Sequence, residues 1–145
     1  MKQDTTNEAE IRALLDGYVT AIRNHDLDGV KAAWAPDLLA FDIIAPLQYV
    51  GAEAFGKVWR AIFEVFEKPI PYEIRDLRIT AGDEVAFSHS LNRNSGTMKN
   101  GQKVDLWLRW TAGYRKIDGK WRIAHVHVSV PADMRTGKAV LDLQP

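Results

Sequence analysis

The apolar residues change period once along this chain, and that change limits the folds open to it. Up to about residue 67 they recur at helical spacing, and from residue 72 onward they alternate. Between the two lies Lys68-Pro69-Ile70-Pro71, a stiff connector with two prolines. Helices first and strands afterwards is the pattern of an α+β domain, here three N-terminal helices packed on the concave face of a curved, mainly antiparallel sheet.

In the first half, residues 8–24 place Ile11, Leu14, Leu15, Tyr18, Val19 and Ile22 on one helical face. Thr5 with Glu8 reads as a capping box, so this helix is expected to start at Thr5 or Thr6. Asp26 can cap a short second helix over 27–35. Pro36 should stop it, because the residue before a proline avoids the α region. Residues 38–43 read as a strand with Leu39 and Phe41 on one face and Leu38, Ala40 and Asp42 on the other. A short return strand over 47–50 and a third helix over 52–67 follow; that helix carries Phe55, Val58, Trp59, Ile62 and Phe66 in one stripe.

The second half predicts strands at 72–81, 84–94, 102–117 and 120–130, separated by the hairpin signals Gly82-Asp83, Asn100-Gly101 and Asp118-Gly119. The tail could add a short edge strand at 138–143 or stay mobile. In 102–117 the even residues Leu106, Leu108, Trp110, Ala112 and Tyr114 face the core. In 84–94 hydrophobicity assigns the odd set inward: Val85, Phe87, Leu91 and, with them, His89 and Arg93. In 120–130 it assigns Ala124, Val126, Val128 and Val130 inward, an assignment that one bulge would flip. The outer face would then carry Trp107, Arg109, Trp121, His125 and His127, too apolar for plain solvent surface, and a homodimer through the sheet is expected.

Two residues suggest chemistry. Tyr18 sits in a buried stripe, where its hydroxyl needs a partner, and Asp42 is a carboxylate in an apolar hexamer. Aimed together into a dry pocket, the two would make a polar spot, where burial would raise the pKa of Asp42. The plainer alternatives are a turn aspartate bonded to nearby amides and a core tyrosine. His89 could orient Asp42 or carry a proton, or be a satisfied core histidine. Arg93, near the mouth, could clamp an enolate or carboxylate oxygen, or be an exposed arginine. Trp34, Trp59 and Trp110 would line the pocket and exclude water. His125-x-His127 puts two imidazoles on one strand face, but a third metal ligand would have to come from elsewhere, such as Asp105. Neither a metal nor a cofactor is expected.

Composition closes other routes. Nineteen basic residues balance nineteen acidic ones, so nothing favours nucleic acid or an anionic membrane surface. Without cysteine there are no disulfides, thiolate nucleophiles or cysteine zinc sites. No apolar run approaches the roughly 20 residues of a membrane span, and the polar start MKQDTTNEAE lacks the core of a signal peptide. The expectation is one soluble, cytoplasmic domain over residues 1–145 that acts on or binds a small apolar ligand.

Several local motifs support a resemblance. They are Tyr18-Val19-x-Ala21-Ile22 with Asp26-Leu27-Asp28-Gly29-Val30, Trp34-Ala35-Pro36-Asp37 before the Asp42 strand, and Gly51-x-x-Ala54. Near the end come Asp118-Gly119-Lys120-Trp121-x-Ile123 and His125-x-His127-x-Ser129-x-Pro131. In this order they resemble the nuclear-transport-factor-2-like superfamily, and within it the SnoaL-like and ketosteroid-isomerase-like proteins. The resemblance runs from about residue 8 to Pro131, leaving 132–145 as a tail. It implies a cone-shaped fold. In the isomerase a tyrosine and a protonated aspartate form the oxyanion hole and another aspartate is the base. The resemblance lays the tyrosine on Tyr18, the base on Asp42, and an apolar wall on Phe87, His89 and Leu91. The second oxyanion acid falls near Ala112, which cannot donate, a departure that argues against steroid isomerisation itself. The hub domain of calcium/calmodulin-dependent kinase is similar at the DGKW…HxHxS ending and is an assembly module. The resemblance therefore implies either a cofactor-independent isomerase, lyase or cyclase, or a non-catalytic ligand-binding or oligomerisation module.

Overall fold

A computed structural model describes the backbone from Lys2 and the side chains from Thr6 to Pro145. Among the described residues there are three helices, α1 (Lys2–Arg23), α2 (Leu27–Ala32) and, after two strands, α3 (Ala52–Val65). The strands are β1 (Trp34–Phe41), β2 (Tyr49–Val50), β3 (Glu73–Ala81), β4 (Val85–Thr97), β5 (Lys103–Ile117), β6 (Lys120–Ser129), β7 (Ala132–Asp133) and β8 (Lys138–Ala139). Six of them form one curved sheet in the order β2-β1-β6-β5-β4-β3, antiparallel except where β1 lies parallel to β6. The helices fill its concave face. Among the described residues no helix is long and apolar enough to cross a membrane.

The helical stripe of α1 is buried as its spacing requires, through Ile11, Leu15, Tyr18, Ala21 and Ile22. The helix starts at Lys2 rather than at Thr5 or Thr6, and the Thr5 side chain of the expected capping box lies outside the described residues. Its two ends are pinned to the sheet by polar contacts that the apolar pattern does not show. Asn7, 2% exposed, donates to the Gly82 carbonyl (3.1 Å) and accepts from Trp121 Nε1 (3.3 Å) and Lys116 Nζ (3.1 Å). At the other end Arg23 Nε donates to the Tyr72 carbonyl at 3.0 Å.

Asp26 caps α2 by accepting from the Gly29 amide at 2.9 Å. The helix ends at Ala32, short of the expected boundary, and β1 starts at Trp34, so Pro36 lies inside a strand. It is tolerated there because the β1–β6 ladder is interrupted between Trp34 and Leu39, where a missing N–H costs no ladder bond. Gly51, at φ +93°, turns the chain into α3 and donates to the Leu38 carbonyl at 2.7 Å; most residues would be strained in that backbone region. The tail strand β8 pairs with β7 and does not join the main sheet, correcting the edge strand expected at 138–143.

Two face assignments are overturned. Residues directly opposite each other in an antiparallel pair share a face. β4 and β5 pair Ser88 with Ala112, Ser90 with Trp110 and Asn92 with Leu108, so the inward even face of β5 brings the even face of β4 inward with it. Ser88, Ser90 and Asn92 are buried; Phe87 (51% exposed), Val85 and His89 face out, with Leu91 and Arg93 half-buried on that outer face. Hydrophobicity misreads β4 because its inner face is held by hydrogen bonds. Ser88 Oγ lies 2.7 Å from the Tyr114 hydroxyl, Ser90 donates to Asn92 Oδ1 at 2.7 Å, and Asn92 Nδ2 donates to the Tyr72 hydroxyl at 2.6 Å.

The second correction concerns Trp121. The β5–β6 register shifts between Gly113–His125 and Tyr114–Ile123, leaving Ala124 as an extra residue. Parity reverses across that bulge. Trp121 and Ile123 join Val126 and Val128 in the core, while His125 and His127 stay on the outer face against the ring of Phe41.

Replacing Asn92 by Ala strands the hydroxyls of Ser90 and Tyr72 in the core and should lower stability by about 1–3 kcal/mol. Val85→Thr, on the exposed face, should stay within about 0.5 kcal/mol. Denaturant unfolding midpoints at unchanged m-value check both; the reverse order of costs would contradict the facing of β4.

Candidate functional site

Asp42 follows directly on the last residue of β1, and its side chain continues the inward face of Leu38 and Ala40, both fully buried. Tyr18 reaches the same place from α1. Its ring lies between Trp34 (centroids 6.4 Å apart) and Trp110 (6.5 Å, stacked). Trp59 of α3 and Tyr72, just before β3, meet edge to face at 6.4 Å. Between these elements is a chamber of about 60 Å³, whose walls include Tyr18, Asp42, Trp59, Tyr72, Asn94 and Trp110. A second chamber of about 180 Å³ adjoins it, the outer one in the sense that neither Tyr18 nor Asp42 lines it; Ile43, Ile44, Trp59, Ile62, Tyr72 and Asn94 line both.

Burial sets the electrostatics. Desolvation pushes the Asp42 carboxyl above its ordinary value, while the nearby backbone amides of Ile43 and Ile44 favour the carboxylate and pull it back down. Desolvation, then the neighbouring Tyr72, pushes Tyr18 well up, and the Asp42 charge adds to the shift. The Trp34 indole lies close enough to Tyr18 to favour its phenolate, yet its N–H makes no hydrogen bond of ordinary geometry. Tyr72 is raised too, chiefly by burial and against the hydrogen bond from Asn92. Tyr18 and Tyr72 are therefore neutral O–H groups in the ordinary pH range. Because Asn92 donates to Tyr72, the proton of that phenol remains free to be given into the cavity.

Of the residues singled out from the sequence, Tyr18, Asp42, Trp59 and Trp110 meet at this cavity. Trp34 is buried behind Tyr18, packed on Phe55 at 5.1 Å, and supports the wall without forming it. Four do not arrive. His89, Phe87, Leu91 and Arg93 lie on the opposite face of β4, because the register with β5 turns the odd residues outward. Arg93 instead makes a two-pronged ion pair with Asp105, at 2.8 and 2.7 Å. That pairing also engages the carboxylate considered as a third ligand for His125 and His127. His125 Nδ1 is bonded to the Leu39 carbonyl at 2.7 Å. Sequence reading missed Tyr72, Asn94 and the Ile43-Ile44 rim. The signal for the β4 member was present as Ser88-x-Ser90-x-Asn92-x-Asn94, four hydrogen-bonding residues at period two.

The comparisons agree with this architecture. The family model of the SnoaL-like domain matches residues 11–133. A nuclear transport factor 2-like protein of unknown function from Pseudomonas putida is 35% identical, covers 97% of this chain and 98% of its own, and superposes with a TM-score of 0.87. A ketosteroid isomerase-like protein from Erwinia carotovora is 25% identical over 83% of this chain and 93% of its own, TM-score 0.70. A nuclear transport factor 2-like superfamily protein from Salmonella enterica shares the fold at 20% identity, with 94% and 99% covered and a TM-score of 0.79. No curated protein matches the sequence.

The raised pKa of Asp42 has a definite consequence for stability. The folded protein holds this proton more tightly than the unfolded chain, so ionising Asp42 costs stability as pH rises from the ordinary value of 3.8 through the folded value. A carboxyl-carbon NMR titration should place the Asp42 midpoint above 3.8. Asp42→Asn should gain thermal stability relative to wild type at neutral pH, a gain that disappears in acid. A midpoint at or below the ordinary value would contradict the burial argument.

Proposed function

The chain belongs to the SnoaL-like domain family, and from that premise we propose that it is a cofactor-independent enzyme that moves a carbon-bound proton next to a carbonyl. One observation carries this reading: Tyr18 and Asp42 share a small chamber whose other walls are largely apolar. The Asp42 carboxylate removes the proton on the carbon beside the carbonyl, the C–H pair becomes a C=C bond, and the carbonyl π pair moves to oxygen. Tyr18 hydrogen-bonds that enolate oxygen, and Tyr72 offers a second O–H in place of the acid missing at Ala112. Returning the proton at another carbon completes an isomerisation; loss of a β-hydroxyl as water, which takes the proton from the Asp42 carboxyl, completes a dehydration; attack of the enolate on a second carbonyl, whose oxygen takes that proton, closes a ring. His89 and Arg93 have no part in these steps. The ketosteroid isomerase-like neighbour supports the reaction class.

A second reading is a binding module without chemistry. The Ile43 and Ile44 amides favour it, since they stabilise the carboxylate as they would in a structural turn. The two readings separate in deuterium oxide. With cyclohexanone as probe, wild type should speed exchange of the α-hydrogens well beyond the same concentration of acetate. Asp42→Asn should lose about 10²–10⁴-fold, and Tyr18→Phe about 10²–10³-fold. Exchange no faster than with acetate would leave only the module.

The outer sheet face is proposed as the site where a second copy docks. Trp107 lies between the guanidinium groups of Arg75 and Arg93, each 5.9 Å from its ring; Phe87 is half exposed, and Phe41, His125 and His127 form an aromatic cluster. Arg109 belongs to this face as expected, whereas Trp121 does not. Light scattering should give a dimer mass at micromolar concentration, and Phe87→Glu should give a folded monomer. A monomeric wild type would contradict the docking face.

A further inference from the structure

We propose that the ligand is an uncharged carbonyl compound with a body the size of a single ring, its oxygen in the inner chamber and its ring in the outer one. Size is the first argument. An apolar cavity of about 150 Å³ takes up benzene. The outer chamber, at about 180 Å³, just exceeds that, and the inner one, at about 60 Å³, falls far below it. The inner chamber therefore admits a carbonyl and its neighbouring carbon but not a ring. Further fused rings would exceed these volumes, extend into water and gain little from the walls.

Charge is the second argument. Among the described residues neither chamber is lined by a lysine, arginine or histidine, and Asp42 is the one acid in the walls. A carboxylate or phosphate entering here would give up its hydration, meet no cation and face a like charge. The chemistry of the outer walls is that of a ring's partner: Phe66, Ile70, Val104 and Leu106 supply apolar surface, with Asn94 and Ser95 at one side. Asn94 Oδ1 has no hydrogen-bond partner, so a hydroxyl on that side of the ring would find an acceptor once the Asn94 side chain turns toward it.

The assignment of the oxygen to the inner chamber rests on the proton-transfer reading; size and charge rest on the walls alone. The test titrates the full chain with acetophenone, with benzoate, which has nearly the same shape but a charge, and with a tetracyclic steroid enone. NMR shifts of the Trp59 and Trp110 indole N–H groups serve as readout. Acetophenone should move these resonances and bind at least about tenfold more tightly than benzoate. The steroid should bind no more tightly than acetophenone. Val104→Phe, which fills the outer chamber, should weaken acetophenone about tenfold. Benzoate binding as well as acetophenone, or a steroid binding far more tightly, would overturn the inference. Preference for acetophenone without exchange of cyclohexanone hydrogens upholds the size and charge of the ligand and removes the proton-transfer reading together with its placement of the oxygen. Exchange with equal binding of benzoate does the reverse.

Discussion

β4 and β5 are hydrogen-bonded without a break from Val85–Arg115 to Thr97–Lys103, and that register decides which side chains the interior receives. Cross-strand neighbours share a face, so once Leu108, Trp110, Ala112 and Tyr114 are committed to the core, the partner residues of β4 must follow. Those partners are Ser88, Ser90 and Asn92. Their hydrogen bonds run to the hydroxyls of Tyr114 and Tyr72, and through Tyr72 they reach the cavity. A slip of one residue would put His89 and Phe87 inside, leave both tyrosines without these partners, and remove the orientation of Tyr72.

The cavity depends on that polar lining as much as on its apolar walls. Buried polar groups need partners, and here the partners leave one phenol proton uncommitted beside a desolvated carboxyl. Burial raises the pKa values of Asp42, Tyr18 and Tyr72 together. One carboxyl becomes a stronger base while two phenols stay protonated, the division of roles that the proposed proton transfer needs. Among the described residues the walls carry no cation, which leaves the phenols as the available donors and also disfavours charged ligands.

How much of this was legible depends on which kind of pattern carried it. The order of helices and strands was readable because periods of 3.6 and 2 are written in the apolar residues and the hairpin turns are marked by Gly82, Gly101 and Gly119. Tyr18 and Asp42 were readable as polar groups on apolar faces. Tyr72 was not, since it sits in an irregular stretch between Pro71 and β3 where no period applies. Hydrophobicity misplaces His89, Phe87, Leu91 and Arg93 because they lie on a strand whose inner face is polar. Trp121 was misplaced by a bulge of one residue.

Element order, the inward faces of α1 and β5, and the family are written in the chain, since each follows from local spacing or from motifs contiguous in it. Which face of β4 points inward, where β6 changes parity, and which aromatic and polar groups meet Asp42 are settled in three dimensions. Those outcomes are set by hydrogen bonds between residues far apart in sequence, such as Asn92 with Tyr72 and Asn7 with Trp121. Local hydrophobicity cannot register them, because a polar side chain is stable in the core as soon as a distant partner satisfies it.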